Sequence, residues 1–319
     1  MKNYLTGRRD FLRSMSVLGA AATIAPALRP RFVHAADAPA YDPNAHFDLE
    51  ITEVVYRRRK ARAPLMARIY QPVGEGPFPT VLDLHGGGWN HKDRYAEEPI
   101  NRAMAASGLL VVAIDLTVAA ESHYPANVQD ANYGVRWLKS KAATWNGDAS
   151  RLGVFGSSSG GHVAQLIGMR PHYPLYNTIP LPEAPEIDAT VSFVASRSPI
   201  SDTFERYENA VRRGAERMVS FNKLYFIPWD TIHEANPQEI LDRGEEVTLV
   251  PMLIMQGALD NNVLPWVTEK FAETYNAAGG NCDYQLFENS VHQWTAEEGP
   301  QTDRARQMVK EFIARQLSS

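Results

Sequence analysis

Cysteine is nearly absent: Cys282 stands alone among 319 residues. A single thiol excludes an internal disulfide, and a lone cysteine is more often a packing residue than a reagent. No apolar run is long enough to cross a bilayer, because the most hydrophobic stretch, near the N-terminus, is closed by Arg29 and Arg31 after about 15 residues, short of the ~20 required. Stable membrane insertion of the mature chain is therefore not expected. Positive charge is also in short supply, with 32 Lys and Arg against 37 Asp and Glu, a net of −5. Residues 1–35 hold six of those cations and one acid, so residues 36–319 carry −10. An acidic body is a poor binder of phosphate backbones, which excludes nucleic acid as a partner and disfavours anionic substrates. Two motifs are missing as well. His233-Glu234 lacks the second histidine of a zinc H-E-x-x-H, and no G-x-x-x-x-G-K-[ST] follows the glycine runs, so neither a metal nor an organic cofactor is expected.

What is present begins with an address. Arg8 and Arg9, followed by Phe11, Leu12 and the mildly apolar SMSVLGAAATIAPAL, have the form of a twin-arginine export signal. Val33, His34 and Ala35 give the small-x-small pattern that precedes a cut. The mature chain is expected to start near Ala36 in the periplasm or outside the cell; without cleavage the segment would be a tether. A composition of 44% hydrophobic and 22% charged residues then supports one large globular domain over residues 36–319.

From Asp48 onward, short β-rich runs alternate with helical patterns, which predicts an α/β domain with a mostly parallel sheet and helices on both faces. ITEVVYRR and PLMARIYQP read as a starting antiparallel pair, with Arg57-Arg58-Arg59-Lys60 as a solvated turn between them. PFPTVLDL, GLLVVAIDL, RLGVF, residues 187–195, VTLVPMLIMQG and NCDYQLFEN supply further strands. Helices are expected over residues 96–107, 128–143 and 162–169, and at the C-terminus, where Met308, Val309, Phe312 and Ile313 share one face. Residues 197–246, aromatic and charged with no strand pattern, read as a small helical cap inserted over the sheet.

Chemistry concentrates at strand ends. Gly156-Ser157-Ser158-Ser159-Gly160 matches G-x-S-x-G after a strand and before a helix, the context in which the motif presents a nucleophilic serine, here Ser158. His85-Gly86-Gly87-Gly88-Trp89 follows another strand, and its glycines free backbone N–H groups to face a cavity. Gly87, Gly88 and the N–H of Ser159 are the candidate oxyanion donors. A serine hydroxyl needs a base, and the base an orienting carboxylate. In strand-turn-helix hydrolases the chain order is serine, acid, histidine. That order leaves His292 as base and Asp260, three residues beyond Gly257, as acid; Asp230 and Asp242 lie in the inserted region with no strand before them. His85 is expected to anchor its own loop.

HGGGW, IDLTVAAESHYPANVQDANYGVRWLK, GVFGSSSGGHVA, GALDNNV and SVHQW together resemble the α/β-hydrolase superfamily, specifically its HGGG-type esterases, the hormone-sensitive-lipase-like and bacterial acetyl-xylan or feruloyl esterase group. The resemblance covers residues 64–317. Asp115, Glu121, Pro125 and Asp130 match that group's D-Y-R-L-A-P-E segment, whereas Thr117 and Ala120 stand where Arg and Pro are usual, and Ser157 and Ser159 where an acid and Ala are frequent. The resemblance implies an α/β-hydrolase fold and a serine carboxylesterase for short acyl or aryl esters, free or saccharide-linked, working through an acyl-enzyme. Trp89 and Trp294, beside the oxyanion glycines and the base, and Phe226 and Trp229, in the aromatic cluster with Phe221 and Tyr225, are candidates for the substrate wall. The G-x-x-D-x-N-V spelling is shared with prolyl-oligopeptidase-type peptidases, but with about 50 residues before the first strand their propeller is not expected here. An arylformamidase or other amide hydrolase, and a noncatalytic binding protein, are the competing functions.

Overall fold

The computed structural model describes residues 40–318; residues 1–35, read above as an export signal, lie outside them. Eight strands form one sheet: β1 (Leu49–Arg57), β2 (Leu65–Pro72), β3 (Phe78–Leu84), β4 (Leu110–Ile114), β5 (Gly147–Ser157), β6 (Phe193–Arg197), β7 (Met252–Gly257) and β8 (Cys282–Phe287). Their order is β1-β2-β4-β3-β5-β6-β7-β8. The two pairings that involve β2 are antiparallel and all others parallel. Every residue of β4 is buried, as a strand covered on both faces must be.

Nine helices cover this sheet among the described residues. Buried residues of α2 (Ala126–Lys141), α3 (Ser159–Met169) and α8 (Pro265–Ala277) join one core, and those of α1 (Glu98–Ala106) and α9 (Pro300–Ser318) join the other. On α9 the inward stripe is Ala305, Val309, Phe312 and Ile313, with Met308 at its margin. Between β6 and β7 lie α4 (Thr203–Arg212), α5 (Glu216–Tyr225), α6 (Thr231–Glu234) and α7 (Pro237–Asp242), the segment predicted as a cap.

Two expectations shift. The strand expected over 187–195 occupies Phe193–Arg197 instead, because β6 is set by its pairing with the end of β5, from Gly153 opposite Phe193 to Ser157 opposite Arg197. The hairpin cations are not all solvated. Arg57 forms an ion pair with the buried Asp130, and Arg59 bridges to Glu121 and to the Thr117 hydroxyl. Those carboxylates sit in the loop after β4 and in α2, where no other cation pairs with them among the described residues.

Candidate active site

β5 ends in a turn so tight that side chains are excluded on both sides of it. A Cβ on Gly156 would lie 2.5 Å from the Gly160 carbonyl oxygen, and one on Gly160 would lie 1.9 Å from that of Leu84 at the end of β3. Ser158 itself takes φ 53° and ψ −116°, a sparsely populated conformation for a residue with a Cβ. The turn lifts its hydroxyl above the C-terminal edge of the parallel strands, and α3 starts at the next residue.

Ser158 donates to Nε2 of His292 at 2.9 Å, and His292 donates through Nδ1 to Oδ2 of Asp260 at 2.6 Å. Asp260 is held from three further sides. Its Oδ1 accepts the N–H groups of Asn262 and Val263, both at 2.9 Å, and its Oδ2 accepts the Gln256 amide at 3.1 Å. Burial alone would raise its pKa, but the hydrogen bond and charge of His292 and the two backbone donors outweigh it and hold the carboxyl below its ordinary range. Gly257 permits this arrangement, since a Cβ there would lie 2.5 Å from the Ser290 carbonyl oxygen in the loop that carries His292.

That loop has a clamp that the sequence did not reveal. Arg197, at the end of β6 and 2% exposed, donates to the His292 carbonyl at 2.5 Å and pairs with Glu97 at 3.4 Å. Its guanidinium also lies 5.7 Å from the Trp294 ring centre. The base is thus fixed through its side chain by Asp260 and through its main chain by Arg197.

Gly87 and Gly88 have φ of 110° and 60°, conformations that favour glycine, and both line an open cavity of about 700 Å³ together with Ser158 and His292. Ser159 does not line it. Its hydroxyl accepts the Trp89 N–H at 3.1 Å, tying the glycine loop to the elbow, and its own N–H stands in the first turn of α3, where no intrahelical acceptor exists. His85 anchors the same loop as expected, bonding the Gly86 carbonyl at 2.8 Å and accepting the Leu116 N–H at 3.2 Å.

The four aromatics expected on the substrate wall are not part of the cavity lining. Trp89 stacks on Tyr225 with ring centres 4.6 Å apart and donates its indole N–H to His162 at 3.2 Å. Phe226 is 1% exposed, edge-on to Trp89. Trp229 packs against Tyr207, and Trp294 against Phe287. All four bind elements together, because each faces a core side of its helix or loop. Phe221, one of the aromatic cluster, is the ring that reaches the cavity, with Arg206, Arg213, Arg217, Met218 and Asn262 beside it. Among the described residues no group of three or more His, Cys, Asp or Glu side chains could hold a metal ion, and no helix is long and apolar enough to cross a membrane. Cys282 is buried, which pushes its thiol up to about 12, out of range for thiolate chemistry.

The BD-FAE family model matches residues 68–275, more than half of the chain, including Ser158 and Asp260. The chain belongs to the BD-FAE family. Similar curated proteins carry esterase and hydrolase names. Carboxylesterase NlhH of Mycobacterium tuberculosis is 36% identical over 102 residues, 31% of this chain and 32% of its own. The chain thus spans about a third of the length of the first curated relatives it matches. An AB hydrolase superfamily protein of Schizosaccharomyces pombe is 26% identical over 263 residues, covering 76% of this chain and 73% of its own. Among solved structures, a butyrate-bound thermophilic esterase of Thermogutta terrifontis aligns at 21% identity with a TM-score of 0.64, over 84% of this chain and 94% of its own. A truncated carbohydrate esterase from gut microbiota aligns at 17% identity with a TM-score of 0.69, over 88% and 100%. These likenesses establish the α/β-hydrolase fold.

Proposed function

We propose that the protein is a serine carboxylesterase acting on short-chain acyl or aryl esters, free or carried on a saccharide. The observation that carries this reading is the unbroken relay from Asp260 through His292 to Ser158, ending in a cavity walled by glycines with positive φ. In the proposed reaction Ser158 attacks the ester carbonyl while His292 takes its proton. Asp260 holds the imidazole with Nε2 free to accept and stabilises the imidazolium that results. The oxyanion forms against the N–H groups of Gly87, Gly88 and Ser159, each lost donor costing about 3–4 kcal/mol. His292 then protonates the departing alcohol, and water repeats the sequence on the acyl-enzyme. The names of a carboxylesterase, a butyrate-bound esterase and a carbohydrate esterase among the similar proteins support this reaction class.

Initial rates on 4-nitrophenyl esters from acetate to dodecanoate, with wild type and Ser158→Ala side by side, test it. Rates highest at the short end and lost in Ser158→Ala are expected. A folded protein inactive on every ester but active on a matched formamide or anilide would replace the esterase by an amide hydrolase. The proposal extends to residues 1–35 as a twin-arginine export signal. Changing both Arg8 and Arg9 to Lys is expected to leave the chain in the cytoplasm at full length, and export unchanged by that variant would refute it.

A further inference from the structure

The cavity at Ser158 has a charge opposite to that of the body around it. Arg206, Arg213, Arg217 and Lys92 line it against the single acid Glu216, while residues 36–319 carry a net −10. None of these four cations forms an ion pair among the described residues. Arg206 is the decisive one, at 3% exposed. Its Nε donates to Asn262 at 3.2 Å, and its Nη2 lies 3.0 Å from the Met218 sulfur. Its Nη1 is buried with no hydrogen-bond partner among the described residues. A Cβ on Gly88 would come within 3.9 Å of Nη2, so this guanidinium stands beside the glycine loop that faces the reacting carbonyl. Burial lowers its pKa to about 10, which leaves it charged at neutral pH.

Arg206 feels the charge of Asp260 and lies 5.5 Å from the Trp89 ring centre, but no carboxylate bonds it among the described residues. A buried guanidinium without a bonded carboxylate is costly, and a ligand carboxylate would supply that partner. Arg217 and Lys92, both exposed, extend the same positive field outward, and they also help to lower the pKa of His91 on the cavity wall, after the effect of its partial burial. We infer that the preferred substrate is an ester bearing a carboxylate, recognised by Arg206 at the base of the cavity and steered in by Arg217 and Lys92. This deepens the esterase reading and rests on it. It also reverses the bias drawn from overall composition, since a local field, not net charge, meets the substrate.

The carboxylate can sit on the acyl or the alcohol side, and two matched pairs separate these. One compares 4-nitrophenyl hydrogen succinate with 4-nitrophenyl butyrate; the other compares an O-acetylated uronic acid with its O-acetylated neutral hexose. In one pair the wild type is expected to favour the carboxylated ester by about tenfold or more in kcat/KM, with the preference shrinking as salt rises. Arg206→Met should bring that ratio towards one, mainly through KM. If that variant does not fold, the surface double variant Arg217→Gln/Lys92→Gln should still reduce the ratio, by a smaller factor. Neutral esters turned over as well as or better than both carboxylated ones would overturn the inference and leave the esterase standing. Inactivity on all four, with Ser158→Ala indistinguishable from wild type, would remove the esterase reading and this inference with it.

Discussion

Ser158 is held in a conformation that an isolated serine avoids, and Gly156 and Gly160, two residues to either side, lack the side chains that would collide with the turn. Strain of this kind costs about 1–3 kcal/mol and persists only where the surrounding structure enforces it. Gly160→Ala is therefore expected to destabilise the protein by about 3 kcal/mol or more, read as a loss of soluble yield or a large fall in Tm, since the new methyl meets the backbone of β3. Asp260→Asn has a different signature. It should fold, because the amide oxygen still accepts the N–H groups of Asn262 and Val263. Its kcat should nevertheless drop by about 10⁴, since the carboxamide no longer fixes the imidazole tautomer. Ser158→Ala should abolish turnover without changing Tm by more than a degree or two, as among the described residues its hydroxyl bonds only His292.

At the scale of elements, the site is assembled from the ends of β3, β5, β7 and β8, and the clamp on its base comes from β6 between them. Arg197→Met removes the bond to the His292 carbonyl and leaves Glu97 buried without its cation. A kcat lowered by about tenfold to a hundredfold, with KM changed far less, is the expected result from steady-state kinetics. The inserted helices offer a paired prediction. Phe226→Ala should cost about 3–5 kcal/mol of stability and leave acyl-length preference alone, while Phe221→Ala should shift that preference with little effect on stability. The contrast shows what was legible in the sequence and what was not. Ser158, Asp260 and His292 were legible together because each follows a strand, and parallel strands deliver their ends to one edge. Neighbouring rings within one short segment were not separable, because Phe221 and Tyr225 lie four residues apart on one face of α5, where Tyr225 stacks on Trp89 and Phe221 lines the cavity, and spacing alone does not say which turn of that face is covered. Arg197 and Arg206 were illegible for a related reason. A lone arginine has the spelling of a solvated residue until the element packed over it is known.

At the scale of the molecule, two buried titratable groups pull stability in opposite directions with pH. Burial lowers His162 to about 4 from its ordinary 6.5. Between those values the unfolded chain takes up a proton that the folded one refuses, so its contribution, about 3 kcal/mol, is lost as pH falls from 6.5 towards 4. Asp83 is raised to about 8 from 3.8, chiefly by burial and then by the nearby Glu97 charge. The folded state holds its proton where the unfolded state has released it, and that contribution is lost as pH rises from 3.8 to 8. Thermal unfolding from pH 7 to pH 4 should therefore show a shallower acid decline than His162 alone would give. The decline should become still shallower, or reverse, in His162→Gln. The charges at the sheet's antiparallel edge have a genetic consequence. The D-Y-R-L-A-P-E segment that residues 115–121 resemble has an arginine at the position of Thr117, whereas here Arg57 and Arg59 bring the cations from β1 and the turn after it. Thr117→Arg alone would crowd a third cation against Asp130 and Glu121 and should lower Tm. Combined with Arg57→Leu it should recover much of the loss, a compensatory epistasis between positions that no local motif connects.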